Sequence, residues 1–271
     1  NSHDPARLAI FECPSGPDEN ACSKYSRWMD IRVSEPAYSA TRPALLGLDA
    51  IHLTLAVTLA AAAVFLIWPE LDLWATGLLY QGGNDFLLRN TAFHRFTDDF
   101  IRPGINIIVG LGILAFLANL ISRGRLFRFS PRKGMYVAFT FILGPLALVN
   151  GILKEFSGRA RPKQTTIFGG DKDFTGAFIP ADQCAHNCSF VSGDVAFAFA
   201  TIALALLAGP KHRPYWISAS LVFGVAVGFS RMAKGAHFLS DALFAGLFCI
   251  LIALVLHRVM IVNGWPRAKT M

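Results

Sequence analysis

The sequence predicts an all-α integral membrane bundle of six transmembrane helices with both termini on the cytoplasmic side. Three observations carry this expectation. The 271-residue chain is 54% hydrophobic and only 16% charged, against roughly 25% charged in an average soluble domain. Apolar stretches recur at 45–68, 103–122, 135–153, 190–208, 215–229 and 238–260, most of them near the ~20 residues that cross a bilayer. Basic residues gather in alternate connections, which sets the orientation.

Residues 1–44 form a cytoplasmic arm with Pro14, Pro17, Pro36 and Pro43 and little sustained periodicity. Within it, Tyr25 to Val33 reads as a short interfacial helix with Trp28, Ile31 and Val33 in lipid; a partly ordered tail is an equal reading. The first apolar stretch follows this arm, so it reads as a span and not as a cleavable signal. Residues 45–262 make the six-helix domain. Its fifth stretch reaches full length if Pro214 opens it. The chain carries no repeat of solenoid type, and residues 263–271 form a second cytoplasmic tail.

Arg123, Arg125, Arg128, Arg132 and Lys133 follow the second stretch, and Lys211, His212 and Arg213 follow the fourth. The arm adds Arg27, Arg32 and Arg42, and the tail region adds Arg258, Arg267 and Lys269. All lie inside under one topology. The first outer connection, 69–102, instead mixes acidic residues with arginines. There Leu71 to Tyr80 and Phe86 to Phe100 read as amphipathic segments lying on the outer surface and framing a substrate entrance. The net charge of +7 is explained by this asymmetry and by anionic headgroups. No basic stripe interleaved with aromatics or nucleic-acid motif is present, so nucleic acid is excluded as a partner.

Of the five cysteines, Cys249 reads as a small buried apolar residue. Cys13 and Cys22 lie on the inner arm. Cys184 and Cys188 lie on an outer loop, where oxidation is allowed. No second cysteine pair or paired histidines accompany them, so a loop-closing disulfide is expected there in preference to zinc.

Three polar islands interrupt the apolar sequence, and under the topology above all three fall on the outer side. Charge at such positions is costly and commonly functional. The first is Lys154-x6-Arg161-Pro162. Seven residues are almost two helical turns, so Lys154 and Arg161 share a face, and Pro162 ends the helix at Arg161. Lysine supplies a mobile point charge and arginine a planar fork for two phosphate oxygens. Taken alone, these cations read equally as juxtamembrane anchors; Arg159 and Lys163 fit that description and receive no role.

The second island, Ser192-Gly193-Asp194, opens a helix whose free N–H groups favour an anion. Gly193 allows close backbone approach. An ordinary serine N-cap is the plain alternative. The third, Ser230-Arg231-x5-His237-x3-Asp241, stacks His237 and Asp241 on one helix face. The carboxylate can accept one ring N–H and leave the other nitrogen nucleophilic. The alternative is a His–Asp pair that packs two helices.

In this order and spacing, "KEFSGRARP", "FVSGD" and "SRMAKGAHFLSD" resemble the tripartite signature of the type 2 phosphatidic acid phosphatase superfamily. The wider string "CAHNCSFVSGD" resembles the bacterial lipid A phosphatases within it. The resemblance implies that Lys154, Arg161 and Arg231 hold a phosphate, assisted by Ser192 and Gly193. It implies that His237 attacks phosphorus, that Asp241 orients His237, and that neither metal nor other cofactor is required, because cations meet the developing charge. One position departs from the family pattern. The second motif ends in Asp194, where the family has an acid histidine. Asp194 is slightly favoured as a general acid acting only in the substrate complex. The alternatives are a charge partner for an arginine, with His186 as acid, or a substitution that weakens activity.

The implied function is removal of a phosphate monoester from a lipid headgroup at the periplasmic face of the bacterial inner membrane. Lipid A is the first substrate, with phosphatidylglycerol phosphate and polyprenyl diphosphate as rivals and a phosphotransferase as a variant. A lipid-phosphate binder or transporter with a degraded acid position is the non-enzymatic alternative. The implied partners are the lipid substrate and membrane lipids, with no obligatory protein partner.

Overall fold

A computed structural model of the chain describes residues 42–92, 95, 114, 118 and 130–264. The arm segment Tyr25 to Val33, Cys13 and Cys22, nearly all of the predicted span 103–122, and the last seven residues lie outside the described set.

Helix α1 spans Arg42–Ile67. Its length and composition suit a lipid environment, and its hydroxyls return to the preceding turn: Thr54 donates to Ala50 O at 2.8 Å and Thr58 to Thr54 O at 2.7 Å. No hydroxyl is then left unpaired toward hydrocarbon. After Pro69 comes α2, Glu70–Gly77, with Asp72, Ala75 and Thr76 buried. The chain then turns back in a small antiparallel hairpin, β1 Tyr80–Gly82 against β2 Asp85–Phe86.

These elements correct the expectation that Leu71 to Tyr80 lies on the surface, and the start of Phe86 to Phe100 departs from it too; residues 93, 94 and 96–100 lie outside the described set. Helix α2 is sunk against the start of the last helix, and Phe86 is a fully buried residue of β2. The Tyr80, Phe86 and Phe168 rings pack with centroids 5.2–5.8 Å apart, and Leu88 N donates to Ala233 O at 2.8 Å. Aromatic burial thus draws the outer connection inward.

Helix α3 begins as Pro131–Phe141, with proline in its first turn. It continues as a π-type stretch over Ile142–Leu153, which contains Pro145, and closes with Lys154–Phe156. The missing proline N–H removes a regular ladder bond, and Asn150 Nδ2 donates to Pro145 O at 2.7 Å. Helix α4, Gly193–Ala200, breaks at Thr201 and resumes as α5, Ile202–Leu206. Thr201 Oγ1 is bonded to Ala198 O at 2.6 Å and paired with Ser220 Oγ at 2.7 Å. Helix α6 covers Arg213–Met232, with Pro214 in its first turn. Helix α7 covers Leu239–Leu256 and ends in a π-type turn, His257–Val262.

Among the described residues, four helical runs are long and apolar enough to cross a membrane: Asp49–Ile67, Arg132–Phe156, Arg213–Met232 and Leu239–Val262. The predicted span at 190–208 is the shorter apolar run Gly193–Leu206. The protein is therefore mostly helical and multi-pass. Helix α4 sits between α6 and α7. A Cβ on Gly224 or Gly246 would lie 2.6 or 2.9 Å from the Phe199 ring, so both helices carry glycine where that ring wedges in. Val149, Val195, Ala196, Ala200, Phe244, Ala245 and Cys249 fill the core around it. Cys249 is buried with a free thiol, as its setting in the apolar run predicts.

Candidate active site

The polar islands meet because four helix ends do. Lys154 closes α3, Gly193 opens α4, Arg231 closes α6 and Asp241 lies in the first turn of α7. The loop 184–192 threads between these ends and ties them together. Cys188 N donates to Lys154 O at 3.1 Å, Ser189 N to Arg159 O at 2.9 Å and Ser192 N to Asp241 O at 3.1 Å. Cys184 and Cys188 are joined by a disulfide with Cα atoms 5.6 Å apart, which closes this loop.

Asn187 links two of the predicted cations. Its Oδ1 accepts from Lys154 Nζ and its carbonyl accepts from Arg161 Nη2, both at 2.8 Å. Lys154 is buried despite its charge. Arg161 is extended and half-buried before Pro162. Ser192 caps α4 by backbone position without using its side chain. Its Oγ is fully buried and finds no hydrogen-bond partner among the described residues. Such an atom is costly unless something else satisfies it. Gly193 permits a close approach, and the group that approaches is Asn150: a Cβ there would sit 2.6 Å from Asn150 Oδ1. Asp194 Oδ2 lies 3.0 Å from Arg231 Nε, an ion pair with the aspartate side chain one-quarter exposed.

His237 is buried, and its Nδ1 lies 2.8 Å from the backbone carbonyl of Ser189. A carbonyl only accepts, so Nδ1 carries the proton and Nε2 keeps its lone pair. The nearest Asp241 oxygen is 3.6 Å from Nδ1, electrostatic contact beyond hydrogen-bond length. Asp241 spends its oxygens elsewhere. Oδ1 accepts from Arg159 Nη1 at 2.7 Å; Oδ2 accepts from Ser189 Oγ at 2.5 Å and from Phe238 N at 2.8 Å. Burial holds the His237 pKa below its usual value. Asp241 opposes that shift, and the fields of Arg231 and Lys154 add to it. The ring is therefore neutral at neutral pH.

The four residues beneath it, Arg159, Asp72, Ser240 and Ser189, were not legible as site residues from spacing. All four are fully buried. Arg159 Nη2 donates to Asp72 Oδ2 at 2.7 Å, and Asp72 also accepts from Ser240 N and Oγ at 2.8 and 2.6 Å. Burial pushes the Asp72 pKa up, against the pull of the Arg159 guanidinium. Arg159, which fits a juxtamembrane anchor by sequence and received no role, points its side chain into the protein. The alternative acid His186 is an exposed residue paired with Glu155 at 3.1 Å.

The site thus gathers Lys154, Arg161 and Arg231, an unpartnered buried hydroxyl at a helix N-terminus, and a neutral imidazole with one nitrogen available. Such a set can accept an anion with several oxygens and attack its central atom.

Comparison with known proteins agrees with this chemistry. No solved structure matches the chain significantly. A protein named Lipid A 4'-phosphatase from Francisella tularensis subsp. novicida is 33% identical over 213 residues, covering 78% of this chain and 95% of that protein. One of the same name from Rhizobium leguminosarum is 34% identical, covering 71% and 88%. A third, from Rhizobium etli, is 39% identical over 41% of this chain and 43% of its own length. The family model described as the PAP2 superfamily matches residues 133–265, the stretch that carries all three islands, and the chain belongs to that superfamily.

Proposed function

We propose that this protein removes the 4'-phosphate of lipid A at the periplasmic face of the bacterial inner membrane, through a phosphohistidine on His237. Its broader class, a phosphomonoester hydrolase acting on a lipid phosphate, follows from family membership and from relatives matched over nearly their full length. The observation that carries the mechanism is the neutral His237 ring with Nδ1 committed to the Ser189 carbonyl. Nε2 attacks phosphorus in line, the P–O bond to the sugar breaks, and the leaving lipid alkoxide takes up a proton from solvent water. Water then attacks the phosphohistidine and releases inorganic phosphate, regenerating the free ring. Lys154, Arg161, Arg231 and the Ser192 hydroxyl hold the three peripheral oxygens, where charge develops. Gly193 adds helix N–H groups. Asp241 holds the Ser189 hydroxyl and the backbone beneath the ring. Asp194 partners Arg231 and thereby aims its guanidinium.

The preference for lipid A over the rival lipid phosphates rests on the names of the relatives. The periplasmic face rests on the asymmetry of basic residues, since the motif-bearing ends lie opposite the arginine-rich connections.

The test is turnover by the purified protein in detergent. Lipid A, phosphatidylglycerol phosphate and polyprenyl diphosphate are each incubated with it, and free phosphate and product mass are measured. Lipid A should lose one phosphate, from the 4' position, faster than the others lose theirs. His237→Ala should lose turnover by several orders of magnitude while remaining folded. Near-full activity in that variant sinks the mechanism, and turnover restricted to the other lipids sinks the substrate.

A further inference from the structure

We infer that Arg159 and Asp72 are a positioning pair that fixes the Asp241 carboxylate and, through Ser189, the ring of His237. This rests on the phosphatase reading above and extends it to residues outside the three islands.

Local geometry first turns Arg159 inward. Gly158 sits at φ +61°, and a Cβ there would fall 1.5 Å from the Ala181 carbonyl. Only glycine makes this turn. Two residues after Arg159, Arg161 faces the Asn187 carbonyl. One short segment therefore sends one arginine beneath the site and the other to the loop that carries Asn187.

Every nitrogen of the Arg159 guanidinium then has a partner. Nε donates to the Thr175 carbonyl at 2.8 Å. Nη1 serves Asp241 Oδ1 at 2.7 Å and Ser240 Oγ at 2.9 Å, and Nη2 serves Asp72 Oδ2 at 2.7 Å. The Phe238 ring lies 4.3 Å below the guanidinium carbon. Asp72 arrives from α2, which is 87 residues away in sequence. It grips Ser240 through both backbone N–H and hydroxyl, so α2, the Gly158 turn and the N-terminus of α7 are locked to one another.

The chain of contacts ends on the reacting ring. With Oδ1 held by Arg159, Asp241 keeps Oδ2 on Ser189 Oγ at 2.5 Å, and the Ser189 carbonyl keeps His237 Nδ1 at 2.8 Å. If Asp241 rotates, the serine that sets the tautomer is released. Stability alone is a poor reason for such a cluster, because apolar replacements of buried ion pairs are often as stable. The cluster also carries two carboxylates on one guanidinium. A negative field therefore remains beneath a ring that gains positive charge when it takes the phosphoryl group.

The experiment uses the full chain in detergent. Asp72→Asn and Arg159→Lys are compared with the parent for kcat and KM on a lipid phosphate, with rates divided by folded protein. In parallel, the His237 imidazole is titrated by NMR, assigned by its loss in His237→Ala. Asp72→Asn should lower kcat at least tenfold with KM within twofold. It should also move the His237 midpoint, already below 6.5 in the parent, to lower pH. The groups facing the ring are Asp241 on α7, Arg231 on α6 and Lys154 on α3, and removing Asp72 takes a negative charge from beneath them. Arg159→Lys should lower kcat similarly, because one ammonium cannot bridge both carboxylates in the geometry of a fork.

Parent-like kcat in both variants overturns the proposal. So does a loss that vanishes once rates are divided by folded protein, or an unmoved His237 midpoint in Asp72→Asn. The titration does not depend on turnover. It therefore still tests the positioning pair if the parent proves inactive on every lipid phosphate, a result that would strike the phosphatase reading instead.

Discussion

Asp194 stands where the family's second motif has a histidine, and in the structure it pairs with an arginine. Its carboxylate faces Arg231 Nε at 3.0 Å, which engages the edge of the guanidinium. An arginine held there keeps its orientation as the phosphate arrives. A partly exposed ion pair of this kind contributes up to about 1 kcal/mol, or roughly fivefold in affinity. Asp194→Asn should therefore raise KM about fivefold and leave the alkaline limb of the kcat profile in place. If the limb disappears in Asp194→Asn, the carboxyl is the acid that protonates the leaving alkoxide. A large gain in kcat for Asp194→His would mark the aspartate as a weakening substitution. The comparison is kcat and KM of the three proteins on one lipid phosphate across pH.

The same scale shows what spacing can and cannot disclose. His237 and Asp241 share a helix turn, so their adjacency is written in the sequence. The partner that fixes the tautomer is a backbone carbonyl, Ser189, and backbone atoms carry no residue signature. Arg159 looked like any cation near a helix end, and Asp72 like any acid in a mixed-charge loop. The usable signal was Gly158, a turn residue directly before an arginine between two motif cations.

Among the elements, each predicted span within the described residues has a helix. The irregularities follow from single residues. Pro145 turns a plain apolar run into a π-type stretch that brings Asn150 against Gly193. Such stretches recur at functional sites, but nothing in the hydropathy of 135–153 announces one. Thr201 breaks the fourth run into α4 and α5, because its hydroxyl serves Ala198 O and Ser220. The outer connection was misread for a related reason. Its amphipathic pattern allows two apolar hosts, the lipid surface and the protein interior. Phe86, Phe168 and Phe238 supply the second by forming a cluster of their own. The disulfide expected between Cys184 and Cys188 is present and closes the loop 184–192. That it also carries Asn187 and Ser189 to the cations and the histidine required the fold.

For the whole molecule, the order of motifs and the alternation of apolar runs imply that all three islands share one membrane side. The helix ends do converge, and the loop 184–192 joins them. Which side they face is proposed from the basic residues, and it can be tested. A membrane-impermeant thiol reagent applied to intact spheroplasts after reduction should label Cys184 or Cys188 and leave Cys13 and Cys22 unlabelled. Labelling confined to the arm cysteines would put the site in the cytoplasm. The central claim is that the phosphoryl group passes to His237 before it reaches water. It is tested most directly by the stereochemical course at phosphorus, using a lipid phosphorothioate made chiral with two oxygen isotopes and turned over in water of the third, so that the released thiophosphate is itself chiral. Two in-line displacements predict overall retention of configuration, whereas inversion would mean direct attack by water and would contradict the phosphohistidine.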